Sequence, residues 1–159
     1  MGEKNMRAQL DAQCVIEANS GFWEQMLGMT LDPAPRSAEF MAAAGHLLGT
    51  VDLTGAWIGR IEVRMAEALA YEATAAMLMQ PVGDVIEADA LDAAKEIANM
   101  VAGGIKSSLP RPCSMTVPES AVTGRTFSSR PMAEDSLDVV FRHAAGEMLV
   151  RVCEQECCQ

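Results

Sequence analysis

A carboxylate and a carboxamide stand three residues apart in the stretch LDAAKEIANMVAGGIKSSL, residues 91–109: Glu96 and Asn99. On a helical wheel at about 100° per residue, Asn99 lies about 60° from Glu96, Asp92 about 40°, Gly103 about 20° and Lys106 about 80°, all to the same side. Ala94, Ile97, Ala98, Val101 and Ile105 fill the opposite half. The apolar half is expected to pack and the half with Asp92, Glu96, Asn99 and Gly103 to face water. On adjacent turns a carboxylate can hold a cation while an amide orients a water through its donor and acceptor atoms. Asn99 and Gly103 are weak helix formers that helix stability does not call for mid-helix. Gly103-Gly104 strips side-chain bulk one turn past Asn99, so that another protein can approach or a neighbouring helix can pack.

The elements that must position this face follow from periodicity. Residues 4 to about 28 read as a helix through Leu10, Cys14, Val15, Ala18, Phe22, Met26 and Leu27, with Gly28 as its stop and Pro33 and Pro35 marking a loop. Residues 46–54 and 57–65 alternate with period two and read as strands joined by a turn at Thr54-Gly55. A weaker strand is conceivable over 38–44, where Ala is a poor strand former. Residues 67–79 return to a helical stripe of Leu69, Ala70, Ala73, Ala76, Met77 and Gln80, broken by Pro81-Val82-Gly83-Asp84. The helix bearing Glu96 and Asn99 is expected from about 87 to 108, closed by Pro110 and Pro112. Short strands follow at 113–117 and 121–127, split by Pro118. Strands at 137–143 and 147–154 flank Ala144-Ala145-Gly146 as a hairpin. Strands joined by hairpins, with about three amphipathic helices over one face, give a two-layer α+β domain with a mainly antiparallel sheet. One domain is expected over 1–159, with a frayed tail from about 155 to 159.

Composition limits the partners. The chain has 159 residues, 50% of them hydrophobic, 4% aromatic, with 12 Met. That suits one core built from aliphatic residues and Met. Twelve basic against 22 acidic residues leave a net charge of −10, which disfavours nucleic acid and anionic membrane surfaces. No stretch approaches the roughly 18 apolar residues of a membrane span. Glu3, Lys4 and Arg7 without an apolar run behind them do not form a secretion signal. Together with five cysteines, an odd number, this favours reduced thiols in the cytoplasm.

Asp92-x-x-x-Glu96-x-x-Asn99, followed by Met100-Val101-Ala102-Gly103-Gly104-Ile105-Lys106, resembles the signature helix of the CheC/CheX/FliY chemotaxis phosphatases, the CheX type above all. Val15-Ile16-Glu17-Ala18 with Met26-Leu27-Gly28-Met29 is similar to the first CheX helix. Gly49-Thr50-Val51-Asp52-Leu53-Thr54-Gly55 with Gly59-Arg60-Ile61-Glu62-Val63 is similar to its first hairpin, and Ala75-Ala76-Met77-Leu78 to the next helix. The resemblance covers most of residues 10–125. It implies a phosphatase acting on a phospho-aspartyl, CheY-like response-regulator receiver in two-component signalling. The Glu, here Glu96, would salt-bridge the receiver's Lys. The Asn, here Asn99, would enter the receiver's site and orient the attacking water. Magnesium is expected in the receiver, with no metal or cofactor of this chain's own, and a homodimer is implied. Asp92, Gly103 and Lys106 become candidate partner contacts.

The sequence departs from the two-motif members of that family. Its first helix offers only Glu17-Ala18-Asn19, and a spacing of two turns Asn19 about 200° from Glu17, so one site per chain is expected. The family's downstream Pro has Pro118 as its counterpart. On spacing alone, Glu96 and Asn99 also fit an ordinary solvated helix face, and Asp92 a first-turn acid favoured by the helix dipole. Cys153, Cys157 and Cys158 with His143 match no standard zinc spacing. No phosphate-binding glycine loop, Ser-His-Asp pattern or HExxH is present. The competing function is a non-catalytic module on the same fold that binds a receiver or a flagellar protein.

Overall fold

The structure, a computed structural model, describes residues 11–35, 45–123 and 136–154. Helix α1 spans Ala12–Leu27, and a short strand β1 covers Asp32–Ala34. Strands β2 (His46–Gly55) and β3 (Gly59–Ala66) are followed by α2 (Glu67–Leu78), a single 3-10 turn and α3 (Glu87–Lys106). Strands β4 (Cys113–Met115), β5 (Glu119–Thr123), β6 (Leu137–His143) and β7 (Gly146–Glu154) complete the order.

Among the described residues the strands form one seven-stranded sheet in the order β1-β6-β7-β3-β2-β4, with β5 also on β2. Every pairing is antiparallel. Alternation decides which face is covered. Leu47, Val51, Leu53, Ile61, Val63, Met65, Met148, Val150 and Val152 turn inward and are buried with Leu69, Ile97, Val101 and Ile105 of the helices. The opposite face carries cross-strand ion pairs, Arg60 to Asp52 at 2.7 Å and Arg151 to Asp138 at 2.8 Å. The α+β architecture expected from the sequence is therefore present.

Helix α3 lies over β2 and β3 and touches α1 and α2 on its flanks. Gly49 sets how close it comes. A Cβ there would run into the carbonyl oxygen of Ala94 and come within 2.8 Å of the Ala98 Cβ. Ala-rich residues on α3's inner face match this: Ala90, Ala94, Ala98 and Ala102 are all fully buried. Small residues on both sides let helix backbone rest directly on strand backbone.

Several boundaries differ from expectation for local reasons. The described helix α1 begins at Ala12, where Asp11 takes extended backbone and caps it by accepting from the Cys14 amide at 3.0 Å; residues 4–10 of the expected helix lie outside the described residues. Pro33 lies in a strand, not a loop: it pairs with Phe141 at the sheet edge, where a residue without an amide proton is tolerated. The β2–β3 turn is displaced past Gly55, since Gly55 still pairs with Cys113 and Leu53 already faces Gly59. Strands β4 and β5 both pair with β2, Leu53 facing Met115 and Thr50 facing Glu119. The two registers differ by one residue, so together they make one edge strand interrupted by an extra residue at 116–118, beside Pro118. The weak strand over 38–44, most of 121–127 beyond Thr123, and the tail from 155 lie outside the described residues.

Candidate functional site

Helix α3 carries the sorting anticipated from its wheel. Ala94, Ile97, Ala98, Val101 and Ile105 are fully buried, while Asp92 and Glu96 are exposed and Asn99, Gly103 and Lys106 half-buried. The first turn holds Glu87 and Asp89 and the last holds Lys106, the arrangement that favours a helix dipole. Glu96 and Asn99 therefore sit on adjacent turns of one exposed face, neighbours at roughly 5–6 Å between Cβ atoms.

Neither is engaged by another of the described residues. Lys95, beside Glu96 in sequence, pairs instead with Asp92 at 3.8 Å. Among the described residues Glu96 has no ion-pair partner and Asn99 no hydrogen-bond partner. Such groups are open to a partner from outside, the carboxylate for a cation and the amide for a water or a polar group. Asp92 is partly spoken for by Lys95; it lies in the second turn of α3, past the first-turn acids Glu87 and Asp89, so it is not the first-turn acid that the sequence suggested.

The two glycines beyond Asn99 do different work, which the sequence did not separate. At Gly104 a Cβ would meet the Ala18 Cβ at 2.9 Å and Ala18 backbone at 3.3 Å, so Gly104 is where α1 crosses α3. At Gly103 a Cβ would meet nothing within 4 Å. Packing does not require glycine there, and its effect is to leave the site face bare. Next to it lies an open groove of about 640 Å³, lined by Gly103, Lys106, Ser107, Arg111, Pro112 and Cys113. Arg111 escaped the sequence reading because helical spacing does not relate it to α3; only the return of the chain toward β4 brings it there.

The other candidates separate. Asn19 is 1% exposed, and its amide donates to the Val15 carbonyl at 2.8 Å. Glu17 is exposed on another side of α1. His143 Nδ1 accepts from the Ala145 amide at 3.0 Å in the β6–β7 turn. Cys153 lies seven residues along β7 from that turn, about 20 Å away. Burial, chiefly, pushes its thiol pKa above the ordinary range, which lowers its reactivity. Among the described residues Cys14, Cys113 and Cys153 form no disulfide with one another. No helix among the described residues is long and apolar enough to cross a membrane.

Residues 47–142, well over half of the chain, match the family model described as chemotaxis phosphatase CheX. The chain belongs to the CheX family. No curated protein sequence matches it significantly. Among solved structures it is similar to the CheX chemotaxis protein of Vibrio vulnificus, at 21% identity and a TM-score of 0.72, over 91% of this chain and 95% of that one. It is similar to CheX of Desulfovibrio desulfuricans, at 24% identity and 0.71, over 91% and 98%. It also matches a chain in the CheX–CheY–BeF3–Mg complex of Borrelia burgdorferi, at 17% identity and 0.68, over 91% and 97%. These likenesses establish a CheX-type fold. The family match contains β2 after its first residue, β3, α2 and all of α3, and so includes the face on which Glu96 and Asn99 lie.

Proposed function

We propose that this CheX-family chain accelerates hydrolysis of the aspartyl phosphate on a CheY-like receiver domain, in chemotaxis or a related two-component pathway in the cytoplasm. The observation that carries the reading is the unengaged Glu96–Asn99 pair on one exposed face of α3. Family membership and the CheX–CheY complex of Borrelia burgdorferi support the choice of partner.

In this reading Glu96 meets the receiver's lysine and fixes the docking position. Asn99 then projects into the receiver's site, one amide atom donating to and the other accepting from the attacking water. Holding that water in line converts a search through solvent into a positioned attack. The water's oxygen bonds phosphorus, the aspartyl oxygen leaves, and inorganic phosphate and a free carboxylate result. Phosphoryl transfer asks mainly for positioning and charge neutralisation. The chain needs no nucleophile and no cofactor of its own. Magnesium, held by the receiver, supplies neutralisation of the phosphoryl charge. Gly103, with open space at its Cβ position, gives the receiver room to approach. A homodimer, implied by the family resemblance, would carry one such face per protomer.

The test is loss of label from a phosphorylated receiver in magnesium buffer, with and without the protein. Wild type should hasten it. Asn99→Ala should bind the receiver and leave its intrinsic rate unchanged. Equal rates with wild type and Asn99→Ala would remove Asn99 from the chemistry. Binding of the receiver without any rate effect of wild type would favour the non-catalytic docking module.

A further inference from the structure

The exposed face of α3 changes sign along its length. Asp92 and Glu96 make its beginning acidic, and Lys106 makes its end basic. After Lys106 the chain passes Ser107 and Ser108, buries Leu109 and comes back as Arg111-Pro112-Cys113. Arg111 and Lys106 thus border the same open groove, with bare Gly103 in its lining.

The groove is built rather than loose. Its returning wall is pinned by the amide of Ala56 donating to the Pro112 carbonyl at 2.8 Å and by the Gly55–Cys113 pairing. The end of α3 is closed from within. Ser107 Oγ donates to the Gly104 carbonyl at 2.7 Å, and the Ser108 and Leu109 amides donate to the Ile105 and Lys106 carbonyls at 2.9 and 3.0 Å. These carbonyls do not depend on a cationic side chain. Among the described residues neither Lys106 nor Arg111 has an ion-pair partner. Two unpaired cations converging on one groove stand out in a chain of net charge −10.

We propose that this groove receives a carboxylate-bearing surface segment of the same receiver domain that Glu96 and Asn99 address. The inference rests on the proposed function and adds how the partner is oriented. The docking face becomes bipolar, acid seeking a cation at one end, two cations seeking acid at the other, with the Asn99 amide between. A receiver docked in reverse would meet like charge at both ends, which selects one orientation. Ten residues separate Glu96 from Lys106, about 15 Å along the helix. That exceeds the Debye length of about 8 Å at physiological salt, so the two ends read the partner independently.

The experiment measures kcat and KM for dephosphorylation of phosphorylated receiver domains from the same organism, at low and at physiological salt. It compares wild type, Lys106→Ala/Arg111→Ala and Lys106→Glu/Arg111→Glu. The alanine pair should raise KM by about 3- to 10-fold with kcat unchanged and flatten the salt dependence of kcat/KM, and the glutamate pair should raise KM further. Unchanged KM and salt dependence in both pairs would overturn the proposal, as would a loss confined to kcat. Melting curves check that the pairs fold, and Lys106→Glu alone carries the same comparison if Arg111 variants do not. Should wild type bind a beryllofluoride-activated receiver without hastening dephosphorylation, the catalytic reading fails. The same variants then test the groove by affinity, with undiminished binding overturning it.

Discussion

Two of the described helices each present a Glu shortly before an Asn, and only one of them turns both residues outward. In α1 the spacing is two, so Glu17 is exposed while Asn19 turns into the core at 1% exposure and spends its amide on the Val15 carbonyl. In α3 the spacing is three, and Glu96 and Asn99 share an outward face with no partner among the described residues. The residue types are the same. One residue of phase in a 3.6-residue helix separates a structural amide from one that can reach a second molecule.

The strongest way to break this contrast is to delete each amide. Asn99→Ala should lower the receiver dephosphorylation rate on the order of 100-fold, the size of effect seen when a positioning polar group is lost, with the melting temperature not lowered, Ala being the better helix former. Asn19→Leu should leave that rate alone. Its side-chain oxygen is buried without a hydrogen-bond partner among the described residues, and the Val15 carbonyl keeps its helical amide. Removing a half-satisfied buried amide in favour of a similar-sized apolar side chain should stabilise by about 1 kcal/mol. A loss of stability in denaturant titration would instead identify Asn19 as a satisfied anchor, and a loss of activity would end the distinction between the two helices.

The neighbouring glycines repeat the contrast at smaller scale. Gly104→Ala forces a methyl against Ala18, and should cost about 1–3 kcal/mol in chemical unfolding. Gly103→Ala enters open space, and should stabilise the helix by about 0.5–1 kcal/mol while raising KM for the receiver. A Gly103→Ala variant with wild-type KM would mean that the bare face is not approached closely. Glu96→Gln should raise KM about tenfold at low salt and less at high salt, with kcat little changed; a salt-independent loss would argue against an ion pair across the interface.

Acidification gives the smallest and least local effect. Burial first, then the charge of Arg64, holds the His46 pKa below its ordinary 6.5. The folded state keeps this imidazole neutral where the unfolded chain takes up a proton. Its contribution to stability is full above pH 6.5 and is lost as the pH falls from there toward the folded value. Melting temperature should therefore drop between about pH 7.5 and about pH 5.5, and His46→Gln should flatten that slope. The activity ratio between wild type and Asn99→Ala, two forms that differ by an uncharged side chain, should not follow it.

The site helix was legible because two periodicities agree there. An apolar stripe at helical spacing fixes its inner face, and that fixes where Glu96 and Asn99 point. The paired strands β2–β3 and β6–β7 were legible from strict alternation. What escaped depended on contacts between distant segments. Pro33 reads locally as a loop, but β6 supplies an edge where its missing amide does no harm. Gly55 reads as a turn until Cys113 arrives to pair with it. The sequence around Gly103-Gly104 cannot tell which glycine meets α1, because that depends on where Ala18 crosses. Arg111 joins the site face only through the return of the chain after α3.

Gly49 lies on the strand beneath α3, at the contact that brings the Ala94 carbonyl onto β2, five residues before Asn99. Under the proposed function, the absence of one methyl group there acts as a height gauge for the reaction. Any larger residue would lift the helix like a shim, and would carry Asn99 toward the receiver by the same amount without altering a single residue on the docking face. A displacement of about 1 Å can cost a positioned attack about 100-fold in rate. In that reading the tolerance of the exposed face is set on its hidden side, by a residue buried in the core.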